Sequence, residues 1–277
     1  MWCTPGNEVR TSSVLALVNG VCKTVPLRAK FVDDLVLLHL FRIDIRDPVP
    51  IQYPQQRDLS TLSTECKDRG IEANPIKSEL LYPLLPSTRP ITLPDLFLCD
   101  EPLPVVHSVK LLGVHINSQL TWSTHVDAIT SKANRCIFML IQAKKFHFST
   151  DSVLAVYILY IRTALEYAAP VWHSGLTVAE DTQIERIQRR CLRIILGRDY
   201  IDYPTALQRL GIQSLSDRRR DFTLCFARGL LRSPDHRDLL HEGGPAQGDS
   251  PRLRVPLGQA RYQKSAVPYM VRLLNES

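Results

Sequence analysis

Three absences narrow the reading of this 277-residue chain. Its seven cysteines, at positions 3, 22, 66, 99, 136, 191 and 225, contain no CxxC pair, and their number is odd. That pattern argues against a disulfide framework or a zinc finger. It predicts reduced, buried thiols in an intracellular protein, cytoplasmic or nuclear. No stretch is expected to supply the roughly 18–20 consecutive apolar residues that span a bilayer. The opening "MWCTPGNEVR" lacks the basic and apolar regions of a signal peptide. There is no Ser/His/Asp order and no phosphate-cradling glycine loop. The histidines do not cluster, so His39, His125, His147 and His173 read as surface or packing residues rather than ligands.

What is present describes a globular chain with a core. The composition is 44% hydrophobic and 22% charged, and the net charge is +6. The charge is uneven. Residues 1–119 carry 12 Lys+Arg against 13 Asp+Glu, a net of −1, whereas residues 120–277 carry 22 against 15, a net of +7. The basic character belongs to the second part, which admits a polyanionic partner there.

The hydrophobic period changes at the same place. Before it, "VLALV" (14–18) reads as a strand and "KFVDDLVLLHL" (30–40) as a hairpin. "PVPIQYPQQ" (48–56) reads as a loop and 57–70 as a short helix closed by Gly70. "VKLLGVHI" (109–116) reads as a strand interrupted by Gly113. After it, apolar residues recur at helical spacing over 123–145, 180–197, 214–232 and 266–274. The run 150–172 is apolar nearly all round, which predicts a core helix ending before Pro170. The predicted class is α+β: residues 1–118 mixed, 119–241 all-helical, and 242–277 a loop and tail.

Two features carry candidate chemistry. Asp33 and Asp34 sit side by side between apolar arms. Aspartate is a common turn former, because its short side chain bonds the local backbone. A tight hairpin could also present both carboxylates to a hard divalent ion while Phe31, Leu35 and Leu37 anchor its arms. The second feature is Arg186, Arg189, Arg190 and Arg193, spaced i, i+3, i+4 and i+7 on one helix stripe. Lys132, Arg135, Lys144, Lys145 and Arg218–Arg220 could extend it. Such a surface suits phosphate backbones, or else its arginines pair with Glu185, Asp217 and Asp221.

Taken in order, several segments resemble the C-terminal part of non-LTR (LINE-type) retrotransposon reverse transcriptases. "KFVDDL" looks like that family's polymerase motif of an aromatic, any residue and two aspartates. "GIEANPIKSELLY" resembles the segment that follows it, and "VKLLGVHINSQLTW" resembles the primer-grip hairpin. "LEYAAPVW", "IERIQRRCLRIILG" and "LQRLGIQSLSDRRR" resemble successive thumb and connection helices. "RYQKSAVPYMVRLLN" resembles the family's C-terminal tail. The resemblance runs from about residue 24 to the end.

It implies a remnant of a reverse-transcriptase palm followed by an all-α thumb-like domain. It also implies RNA-directed DNA polymerisation, with an RNA template and a DNA primer as partners and no membrane. The implied roles are Mg²⁺ ligation by Asp33 supported by Asp34, a pyrophosphate-facing Lys77, and a primer grip at Leu112 and Gly113. Such polymerases also carry an upstream strand aspartate and a glycine-rich Pro-Gln-Gly segment. Neither lies between Met1 and Asp33. The expectation is therefore a polymerase fragment inactive alone, with a non-catalytic RNA- or DNA-binding helical module or a decayed transposon relic as alternatives.

Overall fold

The computed structural model describes residues 28–31, 34–38, 54–82, 95–234, 236–240, 253–255 and 260–277. Contacts divide the chain into two compact units, Met1–His107 and Ser108–Ser277. Helices mixed with short strands place it in the α+β class. The expected strand at 14–18 lies outside the described residues.

In the first unit, β1 (Arg28–Phe31) pairs antiparallel with β2 (Asp34–Leu37), Phe31 opposite Asp34 and Arg28 opposite Leu37. Helix α1 (Pro54–Asp68) starts inside the expected proline loop. Proline is tolerated there because the first turn of a helix has no intrahelical use for its missing N–H. Gly70 closes the helix at φ +64°, as expected. The Gly70 and Ile71 N–H groups return to Lys67 O and Cys66 O.

The other strands of this unit are two residues long. β3 (Leu80–Leu81) runs parallel to β6 (Val105–Val106), and β4 (Phe97–Leu98) runs antiparallel to β5 (Glu101–Pro102). Gln56 ties α1 to β4 with both ends of its amide. Its Nε2 donates to Phe97 O at 3.0 Å, and its Oε1 accepts from Phe97 N at 2.8 Å. The apolar cluster beneath is small: Leu62, Cys66, Leu98 and Leu103, with Leu35, Leu37 and Leu59 against it.

The second unit begins earlier than the change of period suggested. Residues 109–116 form two strands rather than one interrupted strand: β7 (Ser108–Leu111) and β8 (Val114–Asn117). Leu112 and Gly113 between them both have positive φ, +47° and +85°. A two-residue turn of that kind matches the twist of the flanking strands. The hairpin belongs with helix α2 (Ser123–Lys145), because Asn117 stitches the connection. Its Oδ1 accepts from Thr121 N, and its Nδ2 donates to Thr121 Oγ1, both at 2.8 Å.

Val126, Ile129, Ala133, Ile137 and Leu140 of α2 are all buried, as their spacing predicts. The helix is preceded by Trp122; Ser123, the expected cap, is its first residue. After α2 come α3 (Thr150–Val156), a π-helical turn (Tyr157–Arg162) and α4 (Thr163–Glu166). This apolar run breaks earlier than expected. Tyr167 is extended, Ala168 is left-handed at φ +53°, and Pro170 sits in the first turn of α5 (Ala169–Trp172).

Nor is the run buried all round. Val153, Tyr157, Ile161 and Leu165 are fully buried, but Leu159, Tyr160 and Tyr167 are exposed. Contrary to expectation, the helical stretch Thr150–Gly175 is long and apolar enough to span a membrane by length and composition. Much of that apolarity serves the core, and the stretch carries the Arg162–Glu166 ion pair.

The remaining frame is α6 (Val178–Leu196), α7 (Tyr203–Leu210), α8 (Leu215–Arg232), α9 (Ala260–Gln263) and α10 (Ala266–Glu276). Thr177 and Glu180 form a reciprocal capping box at the start of α6. Asp202 and Ser214 cap α7 and α8. The main cluster joins α2, the α3–α5 run and α6 through Ile137, Leu140, Tyr157, Ile161, Trp172, Ile184 and Ile195. A second cluster, Ala227, Leu240, Met270 and Val271, seats α10 on α8. Of the cysteines expected to be buried, Cys66 and Cys191 are; Cys99 and Cys225 are exposed, and Cys136 is half-buried.

Candidate nucleic-acid interface

The four arginines of α6 stand on one exposed face, as their spacing requires. The opposite face, Ile184, Ile187, Cys191 and Ile195, is buried. Among the described residues, none of the four is in an ion pair. Three of them lie against neutral groups. The Arg189 guanidinium lies 4.8 Å from the Tyr203 ring centre, and that of Arg193 lies 5.3 Å from Tyr200. Arg190 Nη1 donates to Asn134 Oδ1 of α2 at 3.4 Å. Aromatic faces and an amide orient a guanidinium without cancelling its charge. Lys132 and Arg135 are exposed on α2. Glu185, expected as an ion-pair partner, is buried and accepts from Tyr203 Oη and Ser216 N instead.

Lys145 is exposed at the end of α2, but Lys144 and Arg218–Arg220 are engaged elsewhere. Lys144 Nζ donates to Ile195 O at 2.7 Å, placing a cation at the carbonyl end of α6. Arg218–Arg220 are consecutive, and consecutive helix positions lie about 100° apart. Arg218 Nε bonds Glu166 Oε1 at 2.5 Å and Arg220 Nη2 bonds Glu276 Oε2 at 3.2 Å. Arg219 is fully buried, ion-paired to Asp181 and stacked over Trp172. Asp217, the second expected partner, accepts instead from the Ser214 hydroxyl. Asp221 accepts from Gln213. The three arginines hold α8 to its neighbours rather than facing a ligand.

A polar relay behind the arginine face was not visible in the sequence. Tyr157 Oη donates to Gln188 Oε1 at 2.5 Å. Gln188 Nε2 donates to Tyr203 Oη at 3.0 Å and to Gln213 O at 2.9 Å. Tyr203 in turn donates to Glu185 Oε2, whose Oε1 accepts from Ser216 N at 2.7 Å. The relay fixes α6, α7 and the start of α8 to one another, so Tyr203 is held where Arg189 stacks on it. Burial, together with the bond to Glu185, pushes the Tyr203 hydroxyl far above its ordinary range, which keeps it a donor.

Two histidines belong to the same core. His125 is fully buried; its Nδ1 accepts from His115 N at 3.4 Å, and Nε2 meets no partner among the described residues. Burial, reinforced by His115, lowers its pKa to about 4. His173 stacks edge-on with Tyr269, and its Nδ1 accepts from Arg219 at 3.4 Å. Burial and then the Arg219 charge bring it to about 4. Both read as packing residues, as expected. His147 is exposed at the end of α2, and His39 lies outside the described residues.

The hairpin residues give a thinner picture. Asp34 is exposed at the start of β2, and Asp33 lies outside the described residues. Leu35 and Leu37 pack on the small cluster as anchors, but Phe31, expected as a third anchor, is 59% exposed. Among the described residues, no group of three or more His, Cys, Asp or Glu side chains is placed to hold a metal ion. Two Mg²⁺ ions would bring four positive charges, and the Asp pair offsets two. This donor set does not suit a two-metal centre. Lys77 is exposed at the end of the Pro75–Lys77 turn, where its backbone N–H donates to Asn74 Oδ1 at 3.3 Å. No bond or ion pair of its ammonium joins it to another described residue.

Leu112 and Gly113 are the turn of the β7–β8 hairpin. Tyr167 locks that turn: its hydroxyl donates to Leu112 O at 2.8 Å, and its ring lies 3.1 Å from where a Gly113 Cβ would stand. The turn is thus tied to the break after α4. No protein-family model, curated protein or solved structure matches the chain.

Proposed function

We propose that this chain is part of a reverse transcriptase of the non-LTR retrotransposon kind, and that the capacity it retains is sequence-independent binding of a nucleic-acid backbone. The observation that carries the binding is the α6 face: four exposed guanidiniums, none ion-paired among the described residues, two of them set by tyrosine rings. Neutralising phosphates releases counterions, so affinity falls steeply with salt. The order of the sequence motifs supports the family, and the clamped turn at Leu112 and Gly113 suits a contact with a primer backbone.

Nucleotidyl transfer by residues 1–277 alone is not part of this reading, because Asp33 and Asp34 supply two carboxylates where the chemistry needs a larger set. The test is fluorescence anisotropy of the full chain with a labelled RNA–DNA duplex over rising salt, beside a dNTP incorporation assay with Mg²⁺ or Mn²⁺. Salt-sensitive binding without incorporation is expected. Affinity that stays flat with salt sinks the phosphate reading. Incorporation abolished by Asp33→Ala sinks the non-catalytic one.

A further inference from the structure

The β4–β5 turn carries a cysteine where the backbone has little use for one. Cys99 and Asp100 both take left-handed φ, +51° and +65°. A two-residue turn of that kind prefers Asn, Asp or Gly, so Asp100 fits it and Cys99 does not. The thiol is turned toward α1: Cys99 Sγ and Ser63 Oγ lie 3.3 Å apart and share a hydrogen bond. Cys66 follows Ser63 at i+3, the spacing that makes two helix side chains neighbours. It is buried in the same apolar cluster as Leu98, the residue before Cys99. Two thiols, one exposed and one buried, thus flank a single helix–turn contact.

Their surroundings set an order of reaction. Cys99 lines a cleft of about 210 Å³ with Gln56, Ser60, Ser63 and Thr64, polar groups that admit a small hydrophilic oxidant. Cys66 is 6% exposed; burial pushes its thiol up, and the neighbouring Cys99 adds to the rise. A buried, protonated thiol is inert to direct oxidation. We propose that Cys99 and Cys66 form a peroxide-sensitive dithiol, with Cys99 the site of oxidation and Cys66 its resolving partner. Hydrogen peroxide oxidises the Cys99 thiol to a sulfenic acid and is itself reduced to water. The Cys66 sulfur then attacks the Cys99 sulfur. The S–S bond forms, the S–O bond breaks, and the hydroxyl leaves with the Cys66 proton as water. The bridge closes a loop of about 30 residues and staples α1 to the β4–β5 hairpin, over a cluster of only four buried side chains. The inference does not rest on the nucleic-acid reading, which uses α6.

The test treats the reduced full chain with equimolar hydrogen peroxide, alkylates the remaining thiols and maps the peptides by mass spectrometry. A linked Cys66–Cys99 peptide, lighter by two hydrogens than its parts and lost on treatment with dithiothreitol, is expected. Bridging should slow amide hydrogen exchange in α1 peptides by about tenfold or more. In Cys66→Ser, dimedone should trap a sulfenic acid at Cys99 and no bridge should form. In Cys99→Ser, Cys66 should survive peroxide as a thiol that alkylates on denaturation. The wild-type map decides the question even where a serine variant does not fold. The proposal is overturned if both thiols of the wild-type chain stay free after peroxide. It is equally overturned if Cys99 pairs instead with another cysteine, within the chain or between copies, or if dimedone labels Cys66 rather than Cys99.

Discussion

In residues 1–107 the described strands pair two by two, and four buried side chains, Leu62, Cys66, Leu98 and Leu103, form the cluster beneath them. In residues 108–277 a continuous cluster runs through α2, the α3–α5 run and α6, and polar groups within it are connected in series. Isolated two-stranded ladders are marginal in water, so the first unit depends on α1 and its Gln56 clasp. The second unit has enough core to hold buried charge. Asp34 therefore sits on the weaker frame, and the cationic face on the stronger one.

The sharpest way to break that contrast is to strand the buried guanidinium. Asp181→Ala leaves Arg219 without its ion-pair partner, and denaturant unfolding of the second unit should show a loss of about 3–5 kcal/mol. A loss below 1 kcal/mol would mean that Arg219 reaches water.

Paired cavity mutations come next. Leu165→Ala, at a fully buried site, should cost about 2–5 kcal/mol. Leu62→Ala should cost less, since a small cluster collapses more readily around a void. Hydrogen exchange followed by mass spectrometry separates the two, with protection lost in helical peptides for the first and in α1 peptides for the second. Equal losses would erase the contrast.

Acid should act on the helical unit. His125 and His173 titrate near 4 when folded and near 6.5 when unfolded, so the unfolded chain takes up protons first as pH falls. Their contribution is complete above about pH 6.5 and is lost as pH drops toward 4, at up to about 1.4 kcal/mol per pH unit for each. Urea midpoints measured between pH 7 and 5 should decline, and His125→Phe should flatten the decline.

The smallest effect lies in the hairpin. Leu112 holds φ +47°, which costs a leucine about 1 kcal/mol that asparagine largely avoids. Leu112→Asn should therefore raise stability by about that amount in a thermal melt.

The helices were legible because their apolar residues keep the 3.6 period; Val126 through Leu140 and Ile184 through Ile195 are buried as read. The Pro170 boundary was misplaced because proline is as much at home in a helix's first turn as beyond its end. Gly113 was read as an interruption because one glycine does not reveal that Leu112 also turns left-handed. The α6 stripe was legible as a pattern. The Arg218–Arg220 run was not, since its partners Glu166, Asp181 and Glu276 lie 38 or more positions away. The relay from Tyr157 to Glu185 was missed for the same reason. Its one local signal was Glu185 and Gln188 sitting beside Ile184 and Ile187 on the packed face of α6.

The central claim concerns the α6 arginines, and the most direct measurement is the salt slope of RNA–DNA duplex binding for two variants. One replaces Arg186, Arg189, Arg190 and Arg193 with alanine; the other replaces Lys132 and Arg135. If α6 tracks the backbone, the first variant should lose about 3–4 units of slope and the second no more than about 2. An unchanged slope in the four-arginine variant, with its fold intact, would contradict the account.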